Sequence, residues 1–239
     1  MIGPILLALS WLLLRVEGRG LAAIGIDQPR RRLREFLVGA ALFGAIATVQ
    51  QVALSLAADD LFVPNRALRG AQLLEGLRFV VNSVLFEELI FRGYLLFHAA
   101  RRVGPTRAAL LSAAAFGAYH WVSYGVLGQV VPMVYVFVLT GTVGYVWARA
   151  FIATGSVLAP IGMHLGWNGV AYLVFSAGPL GAGLLVLRSG NATPAVGGGT
   201  ALLLNAALPL VAAVGVLAWL RQRERWQGEG TGMAPPERE

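Results

Sequence analysis

From Phe36 to Ala57 the chain runs on without a single charged residue. As a helix rising 1.5 Å per residue, this stretch is about 33 Å long, enough to cross the ~30 Å hydrocarbon core of a bilayer. Lipid offers no partner to an exposed amide, so a chain that spans it must close its backbone hydrogen bonds as helices or as a closed barrel. The runs recur at helical length, and the composition agrees. With 57% hydrophobic residues, 13% charged residues and a mean hydropathy of +0.68, the chain lies far from the ~45–50% apolar and ~25% charged of soluble domains. The expected fold class is all-α, a polytopic membrane bundle of about seven transmembrane helices in a single domain over residues 1–220.

The expected spans are 2–14, 36–57, 76–100 (starting as early as Gln72), 107–124, 129–152, 157–176 and 200–220. The first is short but lacks the basic flank of a cleaved signal, so it reads as a membrane helix. Residues 178–199 are rich in glycine and hold one apolar patch, Leu184 to Leu187, which is too short to span; an eighth helix there would move the C-terminus to the other face. Residues 221–239, whose four arginines and four glutamates cancel, read as a disordered cytoplasmic tail. No internal repeat is visible.

The net charge of +7 is carried by arginine alone, since no basic residue is lysine. Because the arginines lie in loops between apolar runs, they read as topology signals and lipid contacts, not as a nucleic-acid surface. Counted by alternate loops, one side holds Arg15, Arg19, Arg30, Arg31, Arg32, Arg34, Arg101, Arg102, Arg107, Arg149 and the tail. The other holds Arg66, Arg69 and Arg188. The asymmetry predicts an integral membrane protein with its N-terminus outside and its C-terminus inside. Cysteine is absent, which excludes thiolate catalysis and cysteine-ligated zinc.

Within the third run, Phe86 to Tyr94 brings two carboxylates and a guanidinium into apolar surroundings. Ionisable groups there cost at least ~2.5–3.5 kcal/mol each and by default mark function. On a helix Glu88 and Arg92 share one face as an i, i+4 pair, which leaves Glu87 about 100° away without a local partner and free to act as a base. Two of the three histidines also lie inside apolar runs: His120, with Phe116 one turn before it, and His164, with Asn168 one turn after it. These polar positions on three helices would be expected to meet around a small wet cavity. Glu88 with Arg92 reads as a structural ion pair; Trp121, Tyr124, Trp147 and Trp167 read as packing or interfacial aromatics; Glu75, Arg78, Asn82 and His98 read as interfacial groups. Glu87 lies fourteen residues before Arg101, and a straight helix of that length rises about 21 Å, placing the carboxylate in the outer half of the membrane.

Glu87-Glu88-x-x-x-Arg92, Phe116-x-x-x-His120 and His164-x-x-x-Asn168, in that order, resemble the three motifs of the CPBP family, the CAAX-processing and bacteriocin-processing intramembrane proteases, also called the abortive-infection family and including the Ras-converting endopeptidases. The matching core runs from Asn82 to Asn168, inside a catalytic core of about 76–176. The resemblance implies an intramembrane endopeptidase in a bacterial or archaeal plasma membrane, acting on a peptide or membrane-protein substrate, prenylated in some members. It implies that Glu87 and His120 activate a water and that His164 and Asn168 hold the oxyanion, with Glu88, Arg92 and Phe116 in support and no cofactor. A zinc-dependent version would use Glu87, His120 and His164 as ligands, but it lacks the His-Glu-x-x-His spacing, and an amide is a poor zinc ligand. Other classes remain open: a non-catalytic membrane protein such as a bacteriocin-immunity factor, or a proton-coupled carrier, which would more often show an inverted repeat.

Overall fold

The structure, a computed structural model, describes residues 2–181 and 183–230, with side chains described to residue 222. It is an all-α membrane protein. Its helices are α1 (Ile2–Val16), α2 (Pro29–Ala57), α3 (Gly70–Phe91), α4 (Tyr94–Val103), α5 (Pro105–Ser123), α6 (Val130–Thr154), α7 (Leu158–Asn168), α8 (Gly198–Leu202) and α9 (Leu208–Gly230). Helix α7 continues through a π-helical turn at Gly169–Val174, and a second π turn at Leu203–Ala207 joins α8 to α9. Among the described residues three helical stretches are long and apolar enough to cross a membrane, Leu21–Ala57, Val130–Thr154 and Gly198–Gln222, with Ile2–Val16 a shorter apolar helix.

Helices α2 and α7 run parallel and form the closest contact in the bundle. Gly162 and Gly166 make this possible: a Cβ on either would lie 2.2 Å from the carbonyl oxygen of Phe36 or of Ala40. Small residues four apart let two membrane helices approach backbone to backbone, where dispersion replaces the missing hydrophobic drive. Helix α6 runs antiparallel to α5, with Gly117 seated against Phe137 and Gly141 against the Ala113 carbonyl. Helix α1 lies along the second half of α3, and the Asn82 side-chain oxygen accepts hydrogen bonds from the backbone N–H groups of Ile2 and Gly3. Those donors belong to the unsatisfied first turn of α1.

The third expected span is not one helix. It breaks at Arg92 and Gly93, where Arg92 leaves helical geometry (φ −124°, ψ −2°) and a Cβ on Gly93 would sit 2.3 Å from the Leu89 carbonyl oxygen. Only glycine fits so close an approach. Residues 94–103 therefore form a separate amphipathic helix that packs on α5. A second departure is a two-stranded antiparallel ribbon, β1 (Phe62–Pro64) with β2 (Leu185–Leu187). The apolar patch Leu184 to Leu187 is thus half of a ribbon whose other half follows α2. Helix α9 runs on to Gly230, past the boundary expected at residue 220; residues 231–239 of the expected tail lie outside the described residues.

Contacts sort the loops into two ends. Ser156 donates to the Gly25 carbonyl at 3.0 Å, Arg32 to the Thr154 carbonyl at 2.9 Å, and His98 lies 3.0 Å from Glu17. Loops 17–29 and 154–157 and helix α4 therefore share one end, together with most of the arginines. At the other end the ribbon and the hydrogen bond from Ser189 N–H to Asp60 (3.1 Å) bring the segments of Arg66 and Arg188 together.

Candidate active site

The last turns of α3 end in Glu87, Glu88 and Arg92, and all three side chains turn inward: Glu88 and Arg92 are fully buried and Glu87 is 9% exposed. Arg92 Nη1 donates to Glu88 Oε1 at 3.1 Å and Nη2 to the Gly144 carbonyl at 3.1 Å. Its guanidinium lies over the Phe116 ring at 4.0 Å. Gly144 makes room for this, since a Cβ there would come within 2.9 Å of both Arg92 Nη2 and the Phe116 ring. The expected pair is present, and it reaches further than an i, i+4 pair alone.

Glu88 Oε1 also meets His164 Nδ1 at 2.8 Å. A carboxylate accepts, so this contact puts the proton on Nδ1 and turns Nε2 toward Glu87. His120 is fixed in the same way by a different acceptor: its Nδ1 lies 2.8 Å from the Phe116 carbonyl oxygen, which can only accept. The result is symmetrical. His120 Nε2 and His164 Nε2 each stand 3.9 Å from Glu87 Oε2, an oxygen that is buried and has no hydrogen-bond partner among the described residues.

The structure thus brings Glu87, His120 and His164 together from three helices. Asn168, buried and one turn beyond His164, opens the π turn that ends α7; it makes no hydrogen bond to the other three. The π turn adds a residue just past the site, a placement in which such turns recur. Phe116 is buried, holds Arg92 with its ring and His120 with its carbonyl. Trp147, read from the sequence as packing, packs on the site itself: it stacks on His164 with ring centroids 4.1 Å apart and planes 27° apart, and is 3% exposed. Of the other aromatics, Trp121 donates to the Met133 carbonyl at 2.9 Å and so ties α5 to α6.

The residues that the sequence reading missed are small. Gly144, Gly162 and Gly166 bear no chemistry, yet they set where Arg92 and His164 sit. The signal was present as Gly162-x-x-x-Gly166 bracketing His164. Depth is also corrected. Gly162 packs on Phe36 and Gly166 on Ala40, so His164 is level with about residue 38 of α2. At 1.5 Å per residue that is about 14 Å from Pro29 and about 28 Å from Ala57. The cluster therefore lies toward the arginine-rich end, because the chain breaks at Gly93 and does not rise straight from Arg101.

Among the described residues no group of three His, Asp or Glu side chains is arranged to hold a metal ion. The description type II CAAX prenyl endopeptidase Rce1-like belongs to the family model that matches residues 69–170, a segment containing every residue of this cluster. No curated protein and no solved structure matches the chain.

Proposed function

Since residues 69–170 are an Rce1-like segment, we propose that the chain is a glutamate-type intramembrane endopeptidase that hydrolyses a peptide bond near the C-terminus of a prenylated, membrane-held substrate. The observation that carries this reading is the meeting of Glu87 Oε2 with two imidazole Nε2 atoms, 3.9 Å from each. A water set between Glu87 and His120 can donate one hydrogen to the carboxylate and the other to the Nε2 lone pair. Its oxygen is then aimed at a carbonyl carbon. As the C–O bond forms, Glu87 takes the proton and later hands it to the leaving amine as the C–N bond breaks. General base assistance of this kind contributes ~10²–10⁴ in rate.

The developing oxyanion needs donors, each worth ~2.7–4 kcal/mol when preorganised. Asn168 supplies its amide. A protonated His164 would add Nε2–H, since its Nδ1–H is given to Glu88; Trp147, stacked on the ring, holds its plane. We further propose seven crossings, with the N-terminus outside, the C-terminus inside and the site open toward the arginine-rich face.

Neutral imidazoles with protons on Nδ1 also leave two Nε2 lone pairs beside a carboxylate, the pattern of a zinc site with outer partners on the second nitrogen. The amide of Asn168, one turn beyond His164, is a poor zinc ligand but an apt oxyanion donor, which favours the water reading. The test is cleavage of a farnesylated C-terminal peptide by the purified chain. Wild type is expected to cleave it and to keep doing so in phenanthroline, while Glu87→Gln loses at least ~10²-fold in kcat with the same helix content. Undiminished turnover in Glu87→Gln overturns the assignment. Loss in chelator with recovery at one equivalent of zinc transfers the site to the metal reading, and a chain that binds such peptides without cleaving them is a non-catalytic relative.

A further inference from the structure

A cavity of about 330 Å³ lies between α2, α6, α7 and α9 at the arginine-rich end, within the ~300–1,000 Å³ of ligand sites. Its walls are mostly apolar, with Val38 and Trp219 exposed at the rim and Ala150, Met163 and Leu220 buried further in, and Arg31, Arg34 and Glu35 also line it. The mouth is not neutral. Glu35 is already held by Arg31 at 3.0 Å and by Arg32 at 2.9 Å, while Arg34 forms no ion pair among the described residues and is exposed. The first turn of α2 adds the positive pole of a long helix at the same place.

The cavity is separate from the site described above. Met163 lines it, whereas the next residue, His164, points to Glu87 and Glu88; Trp147 stacks behind His164. An uncharged apolar ligand would leave Arg34 unmatched, and a soluble anion would leave the apolar chamber unfilled. A molecule with both parts satisfies both. Arginine presents a planar fork that pairs with phosphate oxygens two at a time, and basic pockets between membrane helices on the inner side suit anionic headgroups.

We propose that this cavity binds one anionic phospholipid from the surrounding leaflet, its phosphate on Arg34 and an acyl chain along Val38 and Trp219 toward Met163. The site stands whether or not the chain is a protease.

Native mass spectrometry of the full chain in detergent tests it, with phosphatidylglycerol and phosphatidylcholine of identical acyl chains as the two probes. One phosphatidylglycerol should be retained, about tenfold more tightly than phosphatidylcholine. Arg34→Ala should weaken phosphatidylglycerol about fivefold and leave phosphatidylcholine unchanged. Val38→Trp, at a position 43% exposed on the cavity wall, should block both lipids without altering helix content by circular dichroism. Equal retention of the two lipids, or retention that neither substitution changes, overturns the proposal in favour of ordinary annular lipid. Displacement of the lipid by an equimolar farnesylated peptide overturns it by assigning the cavity to substrate, and displacement by inorganic phosphate overturns it by removing the acyl chain from recognition.

Discussion

One oxygen, Glu88 Oε1, is shared by Arg92 at 3.1 Å and His164 at 2.8 Å. Read from the sequence, Glu88 answers only to Arg92, because i, i+4 spacing is visible and a contact across 76 residues is not. The structure makes it the group that sets the tautomer of His164, so its removal should act on stability and chemistry together. Arg92→Ala leaves Glu88 with His164 alone and is expected to destabilise by ~3–5 kcal/mol, the usual effect of breaking a buried pair from one side. Replacing both ends, Arg92→Met with Glu88→Leu, should recover most of that loss, since neither charge is then stranded, yet it should remain inactive because His164 has lost the acceptor at Nδ1. Thermal unfolding and peptide turnover measured on the three variants separate the effects. If the double variant is both stable and active, Glu88 does not position His164.

At the scale of elements, α7 carries His164 and Asn168, and α2 is the surface on which α7 rests. Gly162 and Gly166 face carbonyl oxygens of Phe36 and Ala40 at distances that leave no room for even one more carbon. Gly166→Leu must push α7 away from α2 and take His164 and Asn168 out of line with Glu87. A cost of at least ~1–3 kcal/mol is expected from the overpacking alone, and turnover should fall in Gly166→Leu by much more than in Gly169→Leu, where a Cβ meets nothing within 4 Å. Equal activity in the two variants would show that the close contact does not position the site. Much of this level was legible beforehand. Apolar length and arginine-bearing loops foretold α1, α2, α5, α6 and the helix through Leu208, and polar residues inside apolar runs foretold which side chains would converge. Three features were hidden, each for a reason. The break after Arg92 depends on a glycine packing against its own preceding turn, which looks from sequence like any glycine in a run. The β1–β2 ribbon joins segments more than a hundred residues apart by backbone bonds, which carry no side-chain signature. Trp147 differs from an ordinary packing aromatic only in what it packs against.

Across the whole molecule, the two ends differ in charge, and the site lies nearer the charged one. His164 is about 14 Å from the start of α2 and about 28 Å from its end at 1.5 Å per residue, and the break at Gly93 lets α4 fold against α5 at the same end instead of lengthening α3. If the arginine-rich end is cytoplasmic, as the excess of arginine leads one to expect, a substrate held at the inner face reaches Glu87 by a shorter path than one arriving from outside. The chain's lack of cysteine makes this directly measurable, because any single introduced thiol is the only one present. Gly20→Cys sits in the loop after α1, at a residue with negative φ (−112°) and open space around its Cβ. Asn191→Cys sits beyond the ribbon at the opposite end, near the Ser189 to Asp60 contact. A membrane-impermeant maleimide applied to intact cells should label Asn191→Cys and spare Gly20→Cys, and in inverted vesicles the order should reverse. Labelling of both from one side would mean that the ends are not on opposite faces, and the reversed order in intact cells would place Glu87 nearer the outer surface and require the substrate to come from there.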